Sequence, residues 1–302
     1  MTRYKLLVTG GTGLVGSAIS ADVKVGRNYD LTKLEICDSM FNEHKPTHVI
    51  HCAAKVGGLG SNMNYKGEYF HDNIMINTNV IESARKAGVT NLVSFLSTCV
   101  FPNNIEYPLT EKKIHLGEPH FSNYPYAYAK RMADIQIRAY REQYGLKYTS
   151  VIPTNIYGPN DNFSLEHAHV IPMLMHKLYL AQQRNEDFVV WGSGKPLREF
   201  IFSKDVAKLA EWALHNYDES EPIIFSTSNE ISIMDLVDLL VTEFEFKGRV
   251  IFDNAKPDGQ LRKPSDNSKL KSYLPDFEFT SIEDGIKETV QWFKETYDKA
   301  RK

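Results

Sequence analysis

Lys5-Leu6-Leu7-Val8-Thr9, running straight into Gly10-Gly11-Thr12-Gly13-Leu14-Val15-Gly16, is the stretch on which the fold turns. The first five residues read as a short buried strand. Glycines at 10, 13 and 16 permit a tight turn, close approach of the backbone to a pyrophosphate, and close packing of a following helix. A helix is expected to start at Ser17-Ala18-Ile19, so that phosphates sit at its N-terminus, where free N–H groups and the dipole favour an anion. GxxGxxG alone is a modest signal, and the strand before it with the helix after it supplies the context.

Outward from that loop, strands and helices alternate. Val23-Lys24-Val25 is an abbreviated second strand, followed by Gly26-Arg27. No Asp or Glu closes it to accept ribose hydroxyls, as an NAD-preferring site requires. Lys24 and Arg27 are cations near that place, which suits a 2′-phosphate and hence NADP. Asp30-Leu31-Thr32 can turn the chain toward the adenine. A polar helix is expected over about 33–44, a buried strand over 47–54, a glycine-rich loop at Lys55–Gly60, a helix over about 65–87 and a strand over 91–96. The helix carrying Tyr126 and Lys130 runs to about 144, and a strand covers 148–152. Alternation this regular implies an α/β fold with a doubly wound parallel sheet.

From about 160 the alternation loosens. The expected division is a dinucleotide-binding Rossmann domain over 1–160, with about 190–230 returning to it, and a smaller, mainly substrate-binding α/β region over 161–302. The last helix, about 281–299, sets Ile282, Ile286, Val290 and Phe293 on one face for packing.

Composition narrows the function. A chain of 302 residues with 42% hydrophobic and 24% charged residues is ordinary for a globular protein. A net charge of −3 leaves no basic footprint for nucleic acid. No apolar run reaches the ~18 residues of a membrane span, and no signal-peptide pattern opens the chain. Cys37, Cys52 and Cys99 are odd in number and widely spaced, so neither a disulfide frame nor a metal site is expected. A reducing, cytoplasmic setting fits.

The chemistry gathers at strand ends. Tyr126 and Lys130 are four apart and leave one helix face together. The ammonium is expected to favour the phenolate, drawing the hydroxyl below its usual pKa of ~10. Ser97 closes a strand at the carboxyl edge, where ligands bind in such sheets. Cys99 lies two residues on and, along an extended chain, points to the same side. Pro153-Thr154-Asn155-Ile156 forms a second strand-edge loop near the nicotinamide end. His169 opens a helix that includes Lys177. Trp191 and Arg198, with Lys177, can clamp a nucleotide diphosphate. The turn Lys256–Gln260 offers Asp258 to ribose hydroxyls. Taken singly, each has a plain structural reading: Cys99 as a small buried apolar residue, His169 as a hydrogen-bonding ring, Trp191 as core.

Together, GxxGxxG, the strand-end serine and YxxxK resemble the extended short-chain dehydrogenase/reductases that act on nucleotide sugars. AAKVGG at 53–58, LSTCVFP at 96–102, PYAYAKR at 125–131, IPTNIYGPNDNF at 152–163, HVIP at 169–172, VWGSGKPLREF at 190–200 and FDNAKPDGQLRK at 252–263 are similar to the GDP-L-fucose synthase family. Related dehydratases carry an acid pair where this chain has Cys99-Val100, which argues against dehydration.

The resemblance implies a substrate, GDP-4-keto-6-deoxy-D-mannose, and a cofactor, NADP(H). It implies 3,5-epimerisation with Cys99 as base and His169 as acid, while Ser97 and Tyr126 hold the ketone oxygen. Reduction of the 4-keto group follows, with Tyr126 protonating the oxygen and Lys130 tuning Tyr126 and binding the nicotinamide ribose. Cofactor contacts carried over are Gly10, Gly11, Thr12, Gly13, Leu14, Val15, Gly16, Arg27, Asp30, Ala53, Ala54, Lys130, Pro153, Thr154, Asn155, Ile156 and His169. Lys177, Trp191, Arg198 and Asp258 are carried over for the GDP moiety. A homodimer paired through the helices at about 65–87 and 126–144 is implied as well. The segment after the first helix is shorter than the family's, which leaves the grip on the 2′-phosphate unassigned. An NAD-retaining sugar 4-epimerase and a non-catalytic nucleotide sensor are the competing readings.

Overall fold

The computed structural model describes residues 4–256 and 258–302. In chain order its elements are β1 (Leu6–Thr9), β2 (Val23–Val25), α1 (Leu34–His44), β3 (His48–His51), α2 (Leu59–Asn64), α3 (Lys66–Lys86), β4 (Asn91–Phe95), α4 (Tyr124–Tyr144), β5 (Lys147–Pro153) and β6 (Asn155–Tyr157). There follow α5 (Val170–Arg184), β7 (Phe188–Trp191), β8 (Leu197–Phe202), α6 (Ser203–Asn216), β9 (Ile223–Phe225), β10 (Glu230–Ser232), α7 (Ile233–Phe244), β11 (Val250–Asp253), α8 (Ser268–Tyr273) and α9 (Ile282–Thr296).

Six strands form one sheet in the order β2-β1-β3-β4-β5-β9, and every pairing in it is parallel. Successive side chains on a strand point to opposite faces. Leu7, Val49, Leu92 and Ile152 therefore join one core with Met40 and Phe41 of α1, Val80 and Ile81 of α3, and Ala133 and Ile137 of α4. Leu6, Val8, Ile50, Val93 and Val151 face the other way, onto Val206, Leu209, Ala210 and Ala213 of α6. Both faces are covered, which explains strands that read as nearly unbroken apolar runs.

The first crossover departs from expectation. Residues 10–20 form turns rather than a helix. Ser17 N–H reaches Gly13 O at 2.9 Å and Ala18 N–H reaches Val15 O at 3.0 Å, and the helical pattern stops there. Asp22 already bonds the Leu6 N–H at 2.8 Å and Glu211 of α6 bonds the Ser20 N–H at 3.0 Å. The chain between Gly16 and β2 is too short for a helix that spans the sheet at ~1.5 Å per residue. Val15 and Ile19 still bury against α6, so one apolar turn plugs the space.

β5 runs into β6 through Thr154, and β6 belongs to a second sheet of order β10-β8-β6. Residues 153–156 thus lie where the chain passes between sheets. A two-stranded pair, β11-β7, adjoins it. A third core fills this region, with Phe163, Phe188, Phe200, Phe244 and Phe293 packed among α5, α7 and α9. In α9, Ile286, Val290 and Phe293 are the buried stripe. Buried Glu199 of β8 ties the parts together: it accepts from Ser226 Oγ at 2.9 Å, the Ser265 N–H at 2.9 Å, and the Ser265 hydroxyl.

Candidate active site

A cavity of about 490 Å³ lies at the carboxyl edge of the large sheet. Its floor is the glycine loop. Gly10 holds φ +66°, and a Cβ on Gly16 would stand 2.4 Å from Gly10 O, so only hydrogen fits there. Gly10, Thr12, Gly13, Leu14, Val15 and Gly16 line the cavity. Gly11 does not; a Cβ on it would meet the Lys24 side chain of β2 at 2.6 Å. Arg27 and Asp30 line the end beyond β2, and Ala53 and Ala54 line the edge of β3. Lys24 is absent from the lining, and its Nζ instead donates to Ser17 O at 2.8 Å. Of the two cations expected near a 2′-phosphate, only Arg27 faces the cavity.

The other end holds Ser97, Tyr126, Lys130, Pro153, Thr154, Asn155, Ile156 and His169. Tyr126 and Lys130 share a face of α4, with the ammonium 5.8 Å from the phenol ring centroid. Lys130 is 2% exposed, and its Nζ donates to Phe95 O at 2.7 Å.

The expected lowering of the tyrosine is not what this site does. Burial pushes the Tyr126 hydroxyl well above its usual range, and the Cys99 and Tyr69 side chains push the same way. Burial also drops Lys130 to about 8, against a partial pull upward from Cys99 and Cys52. Desolvation penalises whichever form carries charge, and at this depth it sets the direction for both groups.

The stretch after Ser97 is not extended, as the sequence reading assumed. Thr98–Val100 form a 3-10 turn capped by Ser97, whose Oγ accepts the Cys99 N–H at 3.4 Å. This turn, rather than strand alternation, sets the position of Cys99. The residue is half-buried and does not line the cavity, though its side chain is felt at Tyr126. Burial raises its thiol, while the Ser97 hydroxyl, Lys263, Lys130 and Arg131 oppose the rise. Lys263 Nζ donates to the neighbouring Thr98 O at 2.8 Å. His169 is the N-cap residue of α5, without a side-chain cap bond. Burial and Arg301 both lower its proton affinity.

Lys177, Trp191, Arg198 and Asp258 lie outside this cavity, around the turn that joins β7 to β8. Trp191 is 59% exposed rather than core, with Lys177 Nζ 4.3 Å and Lys256 Nζ 5.3 Å from its centroid. Asp258 accepts from the Ser193 N–H at 2.8 Å and the Ser193 hydroxyl at 2.7 Å. Half-buried Arg198 donates to Leu197 O at 2.7 Å. Pro257, inside the expected turn, lies outside the described residues.

Several polar groups at or beside the cavity escaped the sequence reading. Buried His51 bonds Thr9 Oγ1 at 2.7 Å and Asn77 Oδ1 at 3.1 Å. Burial holds it neutral, with a pKa of about 3. Asn77 in turn reaches Ala129 O at 3.5 Å, next to Lys130. This chain of bonds fixes α4 against the strand edge. Asn73 clamps the loop at Lys55 from both sides, at 3.0 Å each. Asp161 and Arg301 also line the cavity. Nothing local marked Arg301.

Among the described residues no group of three His, Cys, Asp or Glu side chains forms a metal site, and no helix is long and apolar enough to cross a membrane.

Comparison with known proteins agrees with this geometry. The model of the NAD dependent epimerase/dehydratase family matches residues 6–226. A GDP-L-fucose synthase of Dictyostelium discoideum is 52% identical, covering 100% of this chain and 98% of that protein. A probable GDP-L-fucose synthase of Drosophila melanogaster is 44% identical over 99% of both. The crystal structure of a GDP-L-fucose synthetase from Naegleria fowleri bound to NADP superposes with a TM-score of 0.94 at 47% identity, covering 100% of this chain and 96% of that one. The Dictyostelium alignment extends over 315 positions, more than this chain has, so gaps fall on this side of it. The chain belongs to the NAD dependent epimerase/dehydratase family and, within it, to the GDP-L-fucose synthase group.

Proposed function

We propose that this chain converts GDP-4-keto-6-deoxy-D-mannose to GDP-L-fucose, by epimerisation at carbons 3 and 5 and NADPH-dependent reduction of the 4-keto group. The observation that carries it is one cavity joining a glycine cradle to Ser97, Tyr126, Lys130 and His169. Gly10 and Gly16 let the loop close tightly on itself and on the edge of β3, where any Cβ would strike backbone, and this tight turn is the surface offered to a pyrophosphate. Arg27 faces the adenosine end, and β2 itself ends in Val25 rather than in a carboxylate that would repel a 2′-phosphate, while Asp30 beyond it turns to Thr32.

Bound NADPH supplies the hydride that reduces carbon 4. The residues do the rest. Ser97 and Tyr126 donate hydrogen bonds to the ketone oxygen and stabilise the negative charge that grows there. A Tyr126 hydroxyl held above its usual pKa stays protonated, which suits a group that must give its proton to a far more basic alkoxide. Lys130, anchored on Phe95 O, positions the ribose. Cys99 and His169 are both kept neutral by burial. Epimerisation draws on the charged forms of both, a Cys99 thiolate as base and a protonated His169 as acid. The thiolate removes an acidic C–H beside the ketone, and the imidazolium returns a proton to the opposite face. Lys177, Trp191, Arg198 and Asp258 hold the GDP, with Asp258 exchanging Ser193 for ribose hydroxyls.

Loss of NADPH absorbance with GDP-4-keto-6-deoxy-D-mannose, together with solvent deuterium at carbons 3 and 5 of the product, tests the reading. Turnover without NADPH consumption refutes the reductase in favour of a 4-epimerase, and no turnover leaves a nucleotide-binding protein.

A homodimer is part of the proposal. Phe70 of α3, Met132 and Ile135 of α4, and Phe121 just before α4 are 43–66% exposed. Pairing α3 and α4 with a second copy covers them. Sedimentation velocity reads the outcome.

A further inference from the structure

The pyrophosphate cradle of this chain is electrostatically weak on one side. Aligned peptide dipoles build the positive field of a helix N-terminus. Here the glycine loop leads into a single turn. The opposite wall compensates. Asn162 pairs in a parallel bridge with Arg301, and Phe163 N–H bonds Arg301 O at 2.7 Å. Ala300 is buried in the third core, and Lys302 Nζ lies 3.6 Å over the Tyr297 ring. The segment after α9 is thus fixed at both sides of Arg301, whose side chain lines the cofactor cavity.

Its guanidinium is charged and only partly satisfied. Arg301 Nε is buried and has no hydrogen-bond partner among the described residues, and the same holds for Asp161 Oδ2 close by. Asp161 Oδ1 is occupied by its neighbour's N–H at 2.7 Å, and burial lifts this carboxyl to about 7. The positive charge of Arg301 is felt at His169, on the nicotinamide side, and Arg301 itself feels Arg27, on the adenosine side. Arg301 therefore stands between the two ends of the cleft, across from the glycine loop. That is where a dinucleotide carries its bridging phosphates.

We propose that Arg301 is a cofactor-binding residue whose guanidinium grips the pyrophosphate bridge of the dinucleotide opposite Gly10–Gly16, with its backbone held by the bridge to Asn162 and Phe163. This rests on the dinucleotide reading of the cavity. An arginine fork suits two adjacent phosphate oxygens.

The test measures dissociation constants of NADPH, ADP-ribose and 2′-AMP by calorimetry, for the natural protein, Arg301→Met and Arg301→Lys. ADP-ribose carries the pyrophosphate without the 2′-phosphate, and 2′-AMP the reverse. Loss of one charged hydrogen-bonding group weakens binding roughly ten- to hundredfold. The expected result is that loss for both NADPH and ADP-ribose in Arg301→Met, 2′-AMP unchanged, and partial recovery in Arg301→Lys. Unchanged NADPH binding overturns the proposal. So does a loss confined to NADPH and 2′-AMP, which moves the guanidinium to the 2′-phosphate, or an equal loss of all three with a lowered melting temperature, which makes it a structural residue. Failure of the natural protein to bind NADPH at all refutes the dinucleotide reading itself, a separate outcome.

Discussion

Replacing Lys130 with methionine should stabilise this protein at neutral pH while it destroys catalysis. Lys130 is 2% exposed and no carboxylate pairs with it among the described residues. Its one hydrogen bond goes to Phe95 O. Burial depresses it from 10.5 to about 8. The unfolded chain therefore binds more protons than the folded one between those values, so stability rises as pH climbs from about 8 toward 10.5. Below about 8 the full penalty stands: at ~1.4 kcal/mol per pH unit the gap amounts to roughly 3 kcal/mol. Methionine keeps the length and removes the charge, but it orphans the Phe95 carbonyl at a cost of about 1–2 kcal/mol. The net gain near pH 7 is about 1–2 kcal/mol, or roughly 2–3 °C in melting temperature for a chain of this size. Calorimetric melts of both proteins from pH 6.5 to 9.5 should show a difference that shrinks as pH rises. A variant that melts lower at pH 7, or a difference that stays constant with pH, would refute the claim that desolvation dominates this site.

Three further outcomes are expected. Cys99→Ser should lose solvent deuterium exchange at carbons 3 and 5, and exchange at the natural rate would remove the thiol from the role of base. Tyr126→Phe should bind NADPH normally yet reduce substrate roughly 10²–10⁴-fold more slowly, as expected for loss of a general acid; stopped-flow absorbance separates the two. Gly16→Ala places a methyl 2.4 Å from Gly10 O. It should cost about 1–3 kcal/mol of stability and weaken NADPH binding, and an unchanged calorimetric profile would show that the loop yields freely.

Local pattern sufficed wherever the determinant was local. The glycine spacing, the alternating strands and the four-residue interval from Tyr126 to Lys130 depend on backbone periodicity, and the parallel sheet and the shared face of α4 follow from it. Where a property sums over the whole molecule, the sequence pointed the wrong way. The lysine beside Tyr126 suggested a lowered phenol, but burial, invisible in a four-residue window, raises it instead. Cys99 was read along an extended chain, while its true position comes from a turn capped by Ser97. The helix expected after Gly16 is missing because the crossover is short and tied down across the fold, Asp22 to the Leu6 N–H of β1 and the Ser20 N–H to Glu211 of α6.

The sequence by itself determined the parallel sheet, the glycine loop and the shared helix face of Tyr126 and Lys130, because neighbours along the chain dictate strand, turn and helix face. Only the tertiary structure decided which groups carry charge and which distant residues meet. Arg301 joins a cleft whose floor begins at Gly10, and desolvation and long-range contact exist only once the chain has closed on itself.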